Sequence, residues 1–342
     1  MPDSRGTAVA DEQTVRGEED IVQSFLAPLA AGLAGAHGLT DDCAALTPPP
    51  GEDLVLKTDA IAAGVHFFPD DPAAAIGWKA LAVNVSDLAA KGARPLAYLM
   101  SLSFPEAPTR AWMAAFADGL SEAQAAFGCH LAGGDTDRRP GPLSITIMII
   151  GAVPAGRMVA RGAARPGDRL YVSGTLGDSA LGLALRLDPG LASALQLDAA
   201  DAAVLIDRYL RPRPRMALAA ALLAHASAAM DLSDGLIKDL GRMAKASGTG
   251  ATVALARVPV SDAARRMLER DPARQEAVIA AGDDYEILAA VAPAAAARFE
   301  AAAAAAGVAV TAIGEVTAGA GVSVLDAQGR TVQLARTGWD HF

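Results

Sequence analysis

The chain has 342 residues, room for two domains of about 150 residues each, and 52% of them are hydrophobic, enough for a core in both. Its net charge of −10 and pI of about 5.0 exclude nucleic acid and anionic membranes as partners, because a surface of that sign repels both. Two distant cysteines, Cys43 and Cys129, exclude a disulfide scaffold or a Cys/His metal site and read as reduced, buried thiols; no apolar stretch reaches the ~18 residues that span a bilayer, and a cytoplasmic protein is expected.

Residues 1–16 are polar and acidic, unlike a signal peptide, and read as a disordered tail. A helix is expected over 18–36, with Ile21, Val22, Phe25, Leu26 and Leu29 on one face and Pro28 placed to kink or break it. Asp41-Asp42 falls in a loop, and the strand Leu54–Thr58 runs into Thr58-Asp59. His66, in Gly64-Val-His-Phe67, follows that strand; a lone histidine is as readily structural as ligand-binding. Asp71-Pro72 opens a helix that runs to about Lys91. It carries Asn84 and Asp87 on one face of an otherwise apolar stretch, where a buried aspartate needs a metal ion or a Lys/Arg partner. A strand over 95–104 and a Thr109-capped helix to Phe127 follow. Strands at 130–132 and 143–153 then flank Gly133-Gly134-Asp135-Thr136, read as a loop where glycines admit phosphate oxygens or simply make a tight turn.

The domain boundary is expected near 155–165, which divides 17–155 from 156–342. Just after it, Arg161 offers a fork that matches phosphate oxygens, or a surface ion pair. A strand at 170–173 leads through Gly174–Ser179, a turn built for backbone packing, into a helix to about Leu187. Helices at 199–210 and 214–226 precede a short strand, 228–230, that feeds Asp231-Leu-Ser-Asp-Gly235. That motif is the strongest local signal: Ser233 or Asp234 alone would cap the next helix, so three polar groups with a glycine exceed what a cap requires. Beyond it come a helix at 235–247, a strand at 251–256 and helices at 261–270 and 274–280. Gly282-Asp-Asp-Tyr-Glu286 leads into a strand ending at 291, then an Ala-rich helix over 293–306 and strands at 309–316, 321–325 and 331–335. Trp339, near the C-terminus, suits either stacking on a ring or pinning the chain end. Alternating strands and helices in two halves give an α/β or α+β fold.

Six acidic clusters thus sit at element ends, and carboxylates gathered there would repel one another without cations among them. Mg²⁺ suits such oxygen donors, and several Mg²⁺ ions without a strong nucleophile point to phosphoryl transfer. None of the five lysines stands in a GxxxxGK[ST] motif and no GxGxxG follows a strand, so a P-loop, Rossmann or protein-kinase site is excluded.

In this order the motifs resemble the thiamine-monophosphate kinase family, in the superfamily of aminoimidazole ribonucleotide synthetase. The resemblance runs from about Glu18 to Phe342 and includes Arg161–Asp168 and the terminal Gly338-Trp-Asp-His-Phe342. It implies a two-domain α/β (α+β) fold whose N-terminal sheet forms a barrel-like layer in a homodimer, with a C-terminal domain that completes the site. It implies ATP and thiamine monophosphate as substrates, thiamine diphosphate as product, and direct in-line transfer with several Mg²⁺ ions and no general base. By position it places Asp41, Thr58, Asp59, Asp87, Asp135, Asp231 and Asp234 at Mg²⁺. Gly134, Asp135, Arg161 and Ser233 fall at the nucleotide, and His66, Asp283 and Trp339 at the thiamine phosphate. Three residues depart from the family pattern: Thr40 for a glycine, Lys57 for a small hydroxyl residue, and Asp283 for a frequent glutamate. The rivals are a sibling ATP-dependent enzyme of the superfamily and a non-catalytic dimer that senses Mg-nucleotide.

Overall fold

Alternating apolar positions in the strand-like runs pair into two sheets in a computed structural model, which describes residues 14–340. The chain divides into two compact units that interleave in sequence. One takes the residues up to Leu46, Asp59–Leu81 and Ala97–Met148; the other takes Thr47–Thr58, Ala82–Leu96 and everything from Ile149 onward.

The expected first helix ends early, at Ala30 rather than residue 36, and changes its winding just ahead of Pro28 without breaking there. Helix α1 (Glu18–Ile21) passes through a π-helical turn, Val22–Leu26, into α2 (Ala27–Ala30), and Pro28 sits in the first turn of α2, where its missing N–H leaves no bond unmade. The tail expected over residues 1–16 lies outside the described residues as far as residue 13. Beyond that point Val15 is buried and its N–H donates to the Pro108 carbonyl at 3.0 Å. Strand β1 (Glu52–Ala62), helix α3 (Ala73–Ala90), β2 (Arg94–Phe104), α4 (Arg110–Phe127), β3 (His130–Arg138) and β4 (Ser144–Pro154) follow. The sheet order is β1-β4-β2-β3, which leaves β1 and β3 as its edges. Thr109 caps α4 as expected, its hydroxyl accepting from the Trp112 N–H at 3.1 Å.

Gly133–Thr136 is strand rather than loop: β3 runs on to Arg138, parallel to β2, with Asp135 opposite Ser101. A Cβ on Gly134 would lie 1.7 Å from the Met100 carbonyl oxygen, so the close approach of the two strands itself demands glycine there.

The second sheet begins with β5 (Arg169–Ser173). Helices α5 (Asp178–Leu187), α6 (Leu191–Ala194), α7 (Ala199–Leu210) and α8 (Ala219–His225) lead to β6 (Ala226–Asp231). Then come α9 (Leu236–Ser247), β7 (Gly250–Ala254), α10 (Asp262–Arg270), α11 (Ala277–Ala280), β8 (Ile287–Val291), α12 (Ala296–Ala305), β9 (Val310–Thr317) and β10 (Gly321–Leu325). The order is β10-β7-β9-β5-β8-β6; β10 and β7 run parallel and the other pairs antiparallel. Every residue of β8 is buried, and its alternation serves two cores. Leu288 and Ala290 join Leu170, Val172 and Met230 under α9, whereas Ile287, Ala289 and Val291 join Tyr171 and Ala229 under α8 and α12.

Residues 331–335 form no strand: Thr331 makes an isolated bridge to Leu325 and Val332 one bond to Val324, so the alternation there has no ladder to join. Cys129 is buried and its thiol is pushed up to about 12 by burial; Cys43 is exposed, against expectation. Among the described residues no helix is long and apolar enough to cross a membrane.

Candidate active site

Strand β6 ends on Asp231 because its pairing with β8 ends there, opposite Ile287. From that point the backbones of 231–235 and 282–286 are stitched together. Leu232 N–H donates to the Glu286 carbonyl at 2.8 Å, Tyr285 N–H to that of Leu232 at 2.8 Å, and Asp283 N–H to that of Ser233 at 2.9 Å. The fit is close enough that a Cβ on Gly282 would stand 2.1 Å from the Ser233 oxygen. The C-terminal segment adds a third piece: Trp339 N–H donates to the Asp234 carbonyl at 2.9 Å, and Lys238 Nζ donates to that of Trp339. Five expected site residues, Asp231, Ser233, Asp234, Asp283 and Trp339, are thereby brought together.

Neither Ser233 nor Asp234 caps α9, contrary to the local reading. Asp239, reaching back from the first turn, accepts from both their N–H groups at 3.1 and 2.9 Å, and burial raises its carboxyl. The Ser233 hydroxyl is thus spared capping, while the Asp234 carboxylate pairs with Arg242 at 2.5 Å and Lys238 at 3.7 Å.

Asp283 and Tyr285 both hold left-handed φ, 67° and 51°, a strain that persists because the residues around them fix it. The Tyr285 hydroxyl donates to Asp283 Oδ1 at 3.0 Å. The alternate residues anchor the segment. Asp284 is buried, and its Oδ1 accepts from Gly177 N–H at 2.7 Å, while burial raises its carboxyl well above the carboxylate range. Glu286, with no exposed surface, accepts from Arg208 at 3.0 Å, from both nitrogens of one face of Arg215, and from the Ser173 hydroxyl at 2.6 Å.

A second group forms around Asp87 of α3, also within the second unit. Lys57 Nζ stands 2.8 Å from Asp87 Oδ2. Burial, and next the charge of Asp87, push the Asp231 carboxyl well above its ordinary range, with Lys57 pulling the other way. Ser86 is buried beside them, its hydroxyl close enough to favour the charged Asp231 but without a well-formed hydrogen bond. Lys91 Nζ donates to the Ala229 carbonyl at 2.6 Å; burial first, then the charge of Arg161, lower its ammonium to about 8. Arg161 is exposed.

The remaining expected residues are placed differently. Asp41 is exposed, with its Oδ1 3.4 Å from Cys43 N. Asp59 and Asp135 lie on β1 and β3, opposite edges of one sheet with two strands between them, so this sheet does not bring them together. Thr58 precedes Asp59 in β1, and consecutive strand residues point to opposite faces. His66 closes a turn: its Nδ1 accepts from Ala62 N–H at 3.1 Å and its carbonyl from Lys79 Nζ at 2.9 Å. Among the described residues no three His, Cys, Asp or Glu side chains gather into a ready-made metal cage. The sequence reading missed Lys57 as the partner of Asp87, Asp239 as the cap and Tyr285 as the brace of Asp283. The one signal available for the first was that a buried aspartate needs a metal ion or a cationic partner, which does not say which cation.

Two family models match the chain: the AIR synthase related protein N-terminal domain over residues 40–153, and the corresponding C-terminal domain over 165–327. A thiamine-monophosphate kinase of Caulobacter vibrioides is 44% identical over 327 residues, 95% of this chain and 90% of its own. The crystal structure of the thiamine-monophosphate kinase of Stenotrophomonas maltophilia superposes with a TM-score of 0.78 at 40% identity, covering 86% of this chain and 91% of that one. AaThiL complexed with AMPPCP and TMP superposes with a TM-score of 0.75 at 31% identity, covering 95% and 97%. Identity sustained over nearly the whole length, on a shared fold, makes this chain a member of the thiamine-monophosphate kinase family of AIR synthase related proteins.

Proposed function

We propose that this chain transfers the terminal phosphoryl group of ATP to thiamine monophosphate, giving thiamine diphosphate and ADP. One observation carries the reading: backbone hydrogen bonds bind the residues expected at nucleotide, metal and acceptor, Ser233, Asp234, Asp283 and Trp339, into a single patch. A structural relative holds AMPPCP and TMP together, the pair of ligands such a patch would need.

The donors suit Mg²⁺, since Asp87 and Asp231 offer carboxylate oxygens sheltered from water and Ser86 keeps a buried hydroxyl without a well-formed bond. Asp87, Asp231 and Asp234 would hold it within the second unit; Asp41, Thr58, Asp59 and Asp135 enter by the resemblance of their motifs. When bound, Mg²⁺ offsets repulsion between the phosphates of donor and acceptor and stabilises charge on the transferring group. Ser233 and Arg161 bind the nucleotide, Arg161 through the fork that fits phosphate oxygens, and Gly134 enters by the resemblance of its motif. Asp283, oriented by Tyr285, holds the acceptor, His66 enters by the resemblance of its motif, and the half-exposed Trp339 ring suits stacking. The attacking phosphate oxygen is already anionic near neutral pH, so no side chain need act as general base, and alignment carries the rate. A cytoplasmic homodimer completes the proposal: edge strand β1 carries Leu54 and Leu56, 39% and 62% exposed on one face, as a self-pairing edge would.

The test is to incubate the purified protein with ATP, Mg²⁺ and thiamine monophosphate and to look for thiamine diphosphate and ADP, with free thiamine as the negative control. ATP hydrolysis without a thiamine product would assign the chain to a sibling activity. Nucleotide binding without turnover would leave a sensor.

A further inference from the structure

Lys57 sits on the strand face that also carries buried Val55. Its ammonium meets Asp87 Oδ2 at 2.8 Å, with side chains 31% and 16% exposed, so the contact is largely sheltered from water. Asp87 in turn bears on Asp231, which is buried. The charge of Asp87 acts on the buried Asp231 carboxyl, and away from water such repulsion is strong unless a cation offsets it. One oxygen of the pair is already taken by a cation that belongs to the chain.

We propose that Lys57 is the resident counter-cation of the Asp87–Asp231 pair: it holds Asp87 when no divalent ion is present, and it must leave Asp87 Oδ2 before an ion can use that oxygen. The inference rests on reading Asp87 as a metal ligand. It makes metal binding at this position a displacement rather than a simple capture. The protein is then stable without metal, at the expense of metal affinity.

The experiment uses the full chain with Mn²⁺ alone as the probe, free Mn²⁺ being counted by its electron paramagnetic resonance signal. K57M keeps the length of the side chain and removes the charge; K57R keeps the charge. K57M should bind Mn²⁺ roughly tenfold more tightly than the wild type, because a competing cation has gone. In EDTA its melting temperature should fall by about 3 °C, and Mn²⁺ should restore it. K57R should behave as the wild type. In a D87N background the Lys57→Met change should no longer alter Mn²⁺ affinity. Unchanged or weaker binding by K57M overturns the proposal, as does a gain that survives D87N, or no Mn²⁺ binding by either protein. No nucleotide or thiamine compound is present, so failure here is distinct from failure of the kinase assay.

Discussion

Glu286→Gln strikes the polar core beneath the acceptor segment. The Glu286 carboxylate is fully buried, and both oxygens are committed: Oε1 to Arg208 and Arg215, Oε2 to Arg215 and the Ser173 hydroxyl. The Ser173 hydroxyl oxygen in turn accepts from Ile287 N–H at 2.8 Å. An amide in this place turns one acceptor into a donor aimed at other donors, and it strips two guanidinium groups of their shared charge partner. Removing one member of a buried pair costs about 3–5 kcal/mol, because the remaining charge stays desolvated. At about 2–4 °C per kcal/mol for a unit of this size, the melting temperature should drop by roughly 10 °C. Differential scanning calorimetry of the two proteins measures it. The KM for thiamine monophosphate should rise as well, since Glu286 anchors the segment that carries Asp283. A drop of less than about 2 °C would refute the reasoning, since it would mean the arginines find other partners at little cost.

Asp231→Asn should lower thiamine diphosphate formation at least ~100-fold yet raise the melting temperature in EDTA, because the buried charge and its repulsion from Asp87 both disappear; a destabilised mutant would contradict the burial argument. Lys91 titrates near 8 in the folded chain against 10.5 in the unfolded one. Between those values the unfolded state binds more protons, so stability should climb with pH through that window; urea melts of K91M should show a shallower climb. Trp339→Ala should leave the melting temperature within about 1 °C, since the ring is half exposed, while the KM for the acceptor rises roughly tenfold.

Local chemistry made much of this legible in the sequence. The Thr109 cap and the apolar run of β8 each follow from a few neighbouring residues. The Asp231–Gly235 run also carries more polar company than a cap needs, and its backbone is bonded to 282–286. Long-range pairing hid the rest. Gly133–Thr136 reads as a turn because glycine is a turn former, but parallel pairing with β2 supplies the bonds that keep it extended. The alternation in 331–335 mimics a strand that has no partner. Glu286 looks like a surface charge until it meets Arg208 and Arg215, which lie 78 and 71 positions away in the chain. The Lys57–Asp87 contact likewise joins residues from two separate elements.

The segment 282–286 constrains how this enzyme could acquire a new acceptor. Its even-numbered carboxylates are spoken for by the interior, while Asp283 is the residue proposed at the acceptor. Lengthening or shortening the segment by one position would exchange these duties and place a charge in the core with no arginine to meet it. Changes in acceptor preference should therefore arise by swapping the side chain at 283, an aspartate for a glutamate among them, and insertions or deletions there should be lost to misfolding before selection can act on them.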